Sequence, residues 1–442
     1  MLVQKARLCL AAMLAVTANL SSLTETAHAD SSLCAFRSGP KGPCTCKMAG
    51  DPPGQFTRVA RSRCRGAPAA VEHKPQARDR SSETTAQGNA PPPPPAPTAG
   101  SQEGSGEATA APAAANQIVT GANPPASQAR LDVVRSRGKL VCGVNEKLLG
   151  FSYQAGTGDW AGIDVDFCRA VAVAVLGDAG KVEFVPLNAS SRFDALKAEK
   201  IDLLSRNTTW TMSREVDLGL EFGGVLYFDG QGFLTSEERG LVSAQQLGGA
   251  KVCVQSATTT ETNMAYYFKA HGVSVETKSF PSRDEMIKAY LAGECDAYSA
   301  DRSSLFSDRA GFEEPTKHAV LPEVISKEPL GPAVLQGDRE WAEIVRWVLA
   351  GLINAEEVGL MRDVASSGKE LGGDANRLLD GAGTTGTKLR LDRNWLRNVV
   401  AAVGNYGELY DTNIGKGGAL GMERGINALW KKGGILFAPP MW

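Results

Sequence analysis

Histidine is the scarcest reactive residue in the chain, 4 in 442 residues, and none are paired at a metal-ligand spacing. That argues against a zinc hydrolase. An excess of one charge sign is also missing: 47 Lys+Arg stand against 49 Asp+Glu, a formal net charge of -2. A nucleic-acid binder working by bulk electrostatics is disfavoured accordingly. Beyond residue 20 no apolar run is long enough to span a bilayer, and the mean hydropathy of -0.18 excludes a multi-span membrane protein. Cysteine is not scarce. Nine residues are many for a reduced cytosolic chain and favour an oxidising compartment. The length suggests two or three folded units, at roughly 100–200 residues each.

The N-terminus supplies the compartment. Lys5 and Arg7 precede the apolar stretch Leu8–Leu20, and Ala27-His28-Ala29 forms a small-x-small cleavage signature before Asp30. The pattern predicts a secretory signal peptide over 1–29, too short to be a spanning helix. The chain after residue 29 is therefore expected outside the cytoplasm and not inserted in the membrane. Cys9 leaves with the signal, and eight cysteines remain in two even groups: Cys34, Cys44, Cys46 and Cys64, then Cys142, Cys168, Cys253 and Cys295.

Residues 30–65 form a small basic module. Arg37, Lys41, Lys47, Arg58, Arg61, Arg63 and Arg65 against Asp30 and Asp51 give it +5. It holds too little apolar surface for a core, so its four cysteines are expected to staple it. Cys44-Thr45-Cys46 is too tight for an easy bridge between its own ends; three pairings of the four are possible, and the sequence does not choose among them. CxC with two distant cysteines is a poor zinc spacing, and no metal is expected. Residues 66–128 carry 11 of the 23 prolines, including Pro91–Pro95, and no Phe, Trp or Tyr. They read as a disordered linker, extended along the proline run.

Residues 129–442 read as α/β. Strands are expected over Lys139–Val144, Val182–Pro186, Ile201–Leu204, Lys251–Gln255, Val273–Thr277 and Ala297–Ala300. Helices are expected over Arg130–Arg137, Asp164–Leu176, Ser191–Glu199, Thr259–His271, Arg283–Ala292, Trp341–Ala355 and Asn394–Tyr410. Alternation at this spacing implies parallel sheets of βαβ units, and the repeat of the theme implies two lobes with a cleft beyond the strand ends.

Four motifs stand in order along this part. They are Gly162-Ile163-Asp164-Val165-Asp166-Phe167-Cys168, Asn207-Thr208-Thr209-Trp210-Thr211-Met212-Ser213-Arg214, Gln255-Ser256-Ala257-Thr258-Thr259-Thr260-Glu261, and Asp296-Ala297-Tyr298-Ser299-Ala300-Asp301. Together they resemble the solute-binding proteins of polar amino-acid ABC importers, solute-binding protein family 3. Glu328-Pro329-Leu330-Gly331-Pro332, Val403-Gly404-Asn405-Tyr406-Gly407-Glu408 and Gly425-Ile426-Asn427-Ala428-Leu429-Trp430 are similar to the general L-amino-acid branch. The resemblance covers about 129–442. It implies a type II periplasmic-binding-protein fold, with two Rossmann-like lobes joined by a two-strand hinge. Lobe one would comprise about 129–227 and 330–442, lobe two about 230–325, with crossovers near Phe228–Gly232 and Ser326–Leu330.

What the resemblance implies for function is capture of free L-amino acids and delivery to a membrane permease, without chemistry on the ligand and without a cofactor. The residue chemistry agrees. Arg214 offers a planar fork for an α-carboxylate. Thr209 and nearby backbone N–H groups can complete that pocket. Asp301 on the other lobe can take the α-ammonium, with Thr258 and Thr259 donating to the carboxylate as the lobes close. Asn207 belongs to the carboxylate loop. Asn145 follows the first strand, where the family often has an acid, which weakens any restriction to Lys or Arg. Arg206 can serve an acidic side chain and Gln255 a polar one, so a broad range is expected. Asp164 and Asp166 are assigned to the helix start. Ala257 stands where the family usually has Gly, and fits only if that residue needs no positive φ.

Cys142 lies on the first strand and Cys168 on the helix over it; Cys253 opens lobe two and Cys295 precedes the Asp301 strand. The pairs Cys142–Cys168 and Cys253–Cys295 are expected, each inside one lobe. Two other functions remain open at this point. One is an enzyme on the same fold, such as a dehydratase of a prephenate-like acid, for which Glu146 is the only strand-end candidate. The other is a ligand-sensing receptor module using the basic segment for interaction.

Overall fold

The computed structural model describes residues 34–36, 44–46, 57–59, 129–369 and 371–442. The expected signal peptide, the linker and most of the basic module lie outside the described residues. So does the pairing of Cys34, Cys44, Cys46 and Cys64. Within residues 1–115 three short strands, Cys34–Phe36, Cys44–Cys46 and Thr57–Val59, form an antiparallel sheet in sequence order, with Cys34 opposite Cys46 and Cys44 opposite Val59 by Cα register.

Residues from 129 onward build two five-stranded sheets. In the first the spatial order is Val182–Leu187, Leu140–Asn145, Leu203–Leu204, Ala333–Leu335, Leu220–Phe222. Its first three strands run parallel, and Ala333–Leu335 is antiparallel to both neighbours. In the second the order is Glu276–Phe280, Lys251–Gln255, Ala297–Asp301, Gln231–Ser236, His318–Val320. The first three are again parallel, and Gln231–Ser236 is antiparallel to both of its neighbours. The parallel cores follow from the βαβ alternation, because parallel neighbours need a crossover helix. Two strands that belong to neither sheet connect them. Tyr227–Asp229 pairs antiparallel with Glu328–Leu330, setting Asp229 opposite Glu328. This is a type II two-lobed architecture with a two-strand hinge.

Helix Ile163–Leu176 backs the first sheet with an almost wholly buried surface. It begins beside Gly162 at φ 124°, where a Cβ would lie 2.1 Å from the Phe151 carbonyl oxygen, so the tight turn requires glycine there. It ends at Gly177 in the left-handed region, an ordinary glycine C-cap. The C-terminal third thickens this lobe. Helix Arg339–Glu357 is capped by Asp338, which accepts from the Trp341 N–H at 3.0 Å. Trp341 and Trp395 are buried there, with their indole N–H groups donating to the carbonyls of Asp202 (2.9 Å) and Ala382 (3.0 Å).

The expected single helix Asn394–Tyr410 is two helices, Trp395–Val403 and Tyr406–Asn413. Gly404 sits at φ 89° and ends the first. Asn405 opens the second with a capping box, accepting from the Glu408 N–H at 3.0 Å while its own N–H donates to the Glu408 carboxylate at 2.9 Å. The expected strand Val273–Thr277 lies later, at Glu276–Phe280, because Val273 and Ser274 close the turn that follows helix Thr259–Ala270. Helix Gly373–Gly386 was not among the expected elements. Among the described residues no helix is long and apolar enough to cross a membrane.

Candidate functional site

The two sheets aim their strand ends at one cavity of about 60 Å³ beside the hinge. From the first lobe it is lined by Asn145, Arg192, Arg206, Asn207, Thr209 and Arg214, and from the second by Gln255, Thr258, Thr259, Thr260, Arg283, Met286, Ser299, Ala300, Asp301 and Ser304. All nine residues singled out in the sequence therefore line a single space. Arg192 and Arg283 also line it and were not singled out, and Glu328, which lies just behind it, was known only as part of a motif.

Local structure positions each group. Asp164, in the first turn of Ile163–Leu176, is buried. It accepts from the Ser205 hydroxyl and from the Asn207 N–H, both at 2.9 Å. Its role is thus wider than that of a helix-start charge, because it pins the loop carrying Arg206, Asn207 and Thr209. Burial pushes its carboxyl up to about 6 against the pull of those two hydrogen bonds. Asp166 stays structural, bridging Arg169 (2.8 Å) and the Asn413 side-chain amide (2.8 Å). Asn207 adopts φ 32°, tolerable for Asn, and its Oδ1 accepts from the Asn145 amide at 2.9 Å. Arg206 donates through Nε to the Leu187 carbonyl at 2.8 Å, which holds the guanidinium in the wall.

Arg214 sits in the short helix Met212–Val216, whose cap Thr211 accepts from the Arg214 N–H at 3.3 Å. Its Nη1 donates to the Thr209 carbonyl at 2.5 Å and its guanidinium lies 5.2 Å from the Phe193 ring. The side chain is buried, and that burial lowers its pKa, with Glu328 and Asp301 acting in the opposite sense.

Across the cavity Asp301 ends its strand and opens the following helix. Burial, then Asp229 and Glu328, push its carboxyl well above the usual range, while Arg214 and Arg192 pull it down. Asp229 is pushed up to about 6, chiefly by burial. Three carboxylates therefore gather where the hinge meets the second lobe. Glu328, only 1% exposed, binds both lobes at once. Its Oε2 accepts from Thr209 (2.7 Å) and Thr259 (3.1 Å), and its Oε1 from Asn263 (2.8 Å) and Ser326.

These bonds alter the expected role of the threonines. The Thr258 hydroxyl donates to the Gln255 carbonyl at 2.7 Å, and the Thr209 and Thr259 hydroxyls donate to Glu328. Toward the cavity they therefore present lone pairs rather than protons. The other departure is Ala257, which adopts φ 60°. The turn does need the left-handed region, and the alanine bears the strain of it. Direct bonds also close the lobes: Arg283 Nη1 donates to the Lys147 carbonyl at 2.5 Å.

The two disulfides each lie within a lobe. Cys142 is joined to Cys168 (Cα–Cα 6.3 Å) and Cys253 to Cys295 (5.9 Å). All four cysteines are buried.

The profile of the bacterial extracellular solute-binding proteins, family 3, matches residues 140–398. The chain is 49% identical over 319 residues to the general L-amino acid-binding periplasmic protein AapJ of Rhizobium johnstonii, covering 72% of this chain and 94% of that one. It is 44% identical over 327 residues to the glutamate/glutamine/aspartate/asparagine-binding protein BztA of Rhodobacter capsulatus, covering 73% and 95%. A solved periplasmic binding protein of an ABC transporter from Brucella ovis, with glutathione bound, is 46% identical and superimposes with a TM-score of 0.69, covering 72% of this chain and all of that one. With two lobes, a two-strand hinge and this profile match, the chain belongs to the bacterial extracellular solute-binding proteins, family 3.

Proposed function

We propose that this protein is the periplasmic substrate-binding component of an ABC importer, capturing free L-amino acids between its lobes and presenting them to a membrane permease. The observation that carries the reading is the pairing of opposite charges across the cavity: Arg214 on the first lobe and Asp301 on the second. A free amino acid carries the complementary pair. Its α-carboxylate takes two hydrogen bonds from the Arg214 fork, aided by the N–H groups opening helix Thr259–Ala270. Its α-ammonium lies against Asp301 and the lone pairs of the Thr209 and Thr259 hydroxyls. Asn145, Asn207, Gln255, Arg206 and Thr258 surround the side chain, and their mixed polarity suits a broad range. Only the closed form offers both half-sites, so ligand favours closure.

Names of relatives support this reading: a general L-amino acid binder and a binder of glutamate, glutamine, aspartate and asparagine. No bond of the ligand is made or broken. What supports this is that the relatives are named as binding proteins. Residues 1–29 act as the export signal, 30–65 as a stapled basic appendage, and 66–128 as its tether to the binder at 129–442. The test is calorimetry with a panel of L-amino acids. Several should bind with one site per chain, and Arg214→Ala should weaken binding by at least about a hundredfold. Binding by none, or binding unchanged in Arg214→Ala, contradicts the proposal.

A further inference from the structure

Glu328 stands behind the cavity wall, outside the set that meets the ligand in the reading above, yet it is placed to govern that set. It opens the hinge strand Glu328–Leu330, opposite Asp229, and is buried. Four donors converge on its two oxygens. Thr209 (2.7 Å) comes from the first lobe, Thr259 (3.1 Å) and Asn263 (2.8 Å) from the second, and Ser326 from the chain just before it. A buried carboxylate filled in this way is satisfied where it stands, and each of its donors is held in return.

Two of those donors, Thr209 and Thr259, line the cavity themselves. Their hydroxyl oxygens stand 3.5 Å apart, one from each lobe, and both donate to the same Glu328 oxygen. A hydroxyl has a single proton and two lone pairs. With its proton on Glu328, each threonine offers the cavity only acceptors. Asp301 lines the same cavity and adds a carboxylate. Three accepting side chains therefore await the three N–H donors of a primary ammonium. A hydroxyl with no carboxylate behind it is a free rotor, and turned inward it presents its proton to the cation. Thr209 and Thr259 belong to different lobes, so both protons reach one oxygen only when the lobes are together.

We infer that Glu328 is a positioning residue for amine recognition: it orients the Thr209 and Thr259 hydroxyls as acceptors for the ligand's α-ammonium. This rests on the reading of the cavity as an amino-acid site and deepens it. Glu328 acts through the two threonines and touches no ligand atom itself. The hinge strand thereby sets the polarity of the site that the lobes close upon.

The experiment uses the mature chain, freed of bound small molecules, with L-glutamate, L-glutamine and L-alanine as calorimetric probes. Glu328→Gln keeps the shape but places an amide N–H₂ where an acceptor stood, and should weaken the amino acids that bind by at least about tenfold. In a chain already carrying Thr209→Val and Thr259→Val, the same replacement should change affinity by less than about threefold, because the hydroxyls it orients are gone. Thermal melting reports that each variant folds. Glu328→Asp, which retracts the acceptor by one methylene, serves as the second variant and should weaken binding in the same hydroxyl-dependent way. The inference is overturned if Glu328→Gln leaves affinity unchanged. It is equally overturned if the loss is the same with and without the two hydroxyls, which would mean that Glu328 acts by its charge or on the fold. Failure of all three probes to bind the unmodified chain is a different result and falls on the amino-acid reading itself.

Discussion

Asp301 is the residue on which pH should act. Burial and the neighbouring Asp229 and Glu328 hold its carboxyl above the normal range. A ligand ammonium beside it favours the ionised form and draws the value back down. Binding should therefore expel a proton at pH values below the raised pKa of the free protein, and affinity should fall as the solution is acidified through that range. Calorimetry in two buffers of different ionisation enthalpy measures this. Net proton release is expected in the wild type and none in Asp301→Asn, which should also bind roughly thirtyfold or more weakly. Proton uptake on binding, or identical heats in both buffers, contradicts the assignment. Sequence reasoning brought Arg214 and Asp301 to the cavity because each sits in a motif that follows or ends a strand. It passed over Arg192, since an arginine in a short polar helix reads as a solvent-facing charge. The one local sign against that was its position at the helix start, where a cation is disfavoured. Glu328 was unreadable for another reason. Its partners Thr209 and Thr259 lie 119 and 69 residues away, and only the hinge brings them together. Ala257 shows the reverse case: the missing glycine was visible, but whether the turn needed positive φ was not.

At the scale of elements, the parallel strands and their crossover helices were legible from periodicity, because such strands read as short apolar runs between helices, whereas the strands Leu220–Phe222, Gln231–Ser236, His318–Val320 and Ala333–Leu335 were not expected. The misplacements have local causes. The split between Trp395–Val403 and Tyr406–Asn413 follows from Gly404, Asn405 and Glu408, a stop signal and a capping box masked by a continuous apolar pattern. Helix Gly373–Gly386 carries four glycines besides its weak apolar stripe, a composition that hides a helix. The disulfides act at this scale too. Their partners are separated by 26 and 42 residues. In the chain-entropy model they contribute about 3.5 and 4 kcal/mol to stability. Replacing both members of either pair with alanine should lower stability by that order in denaturant melts, while ligand affinity stays within about twofold, since each bridge braces one lobe and leaves the hinge free. A tenfold loss of affinity without loss of stability would show that the bridges shape the site instead.

For the whole molecule, the hinge joins the chemistry to the architecture. The Tyr227–Asp229 and Glu328–Leu330 ladder carries Asp229 and Glu328 into the space between the lobes, and Glu328 is hydrogen-bonded by both. The C-terminal segment braces the same ladder: the Asn427 side-chain amide satisfies both the N–H (2.7 Å) and the carbonyl (2.9 Å) of Phe228, and the Tyr406 hydroxyl donates to the Leu226 carbonyl at 2.7 Å. The long C-terminal third thus stiffens the base about which the lobes close, a role its sequence motifs did not disclose. In the proposed reading the assembled molecule holds one zwitterion, with Arg214 on one side and Asp301 on the other. The most direct measurement is the identity of the small molecule released when protein purified from its native cells is denatured, read by mass spectrometry. The account predicts an α-amino acid at about one per chain. A stoichiometric ligand lacking either a free α-carboxylate or a free α-amino group would contradict it.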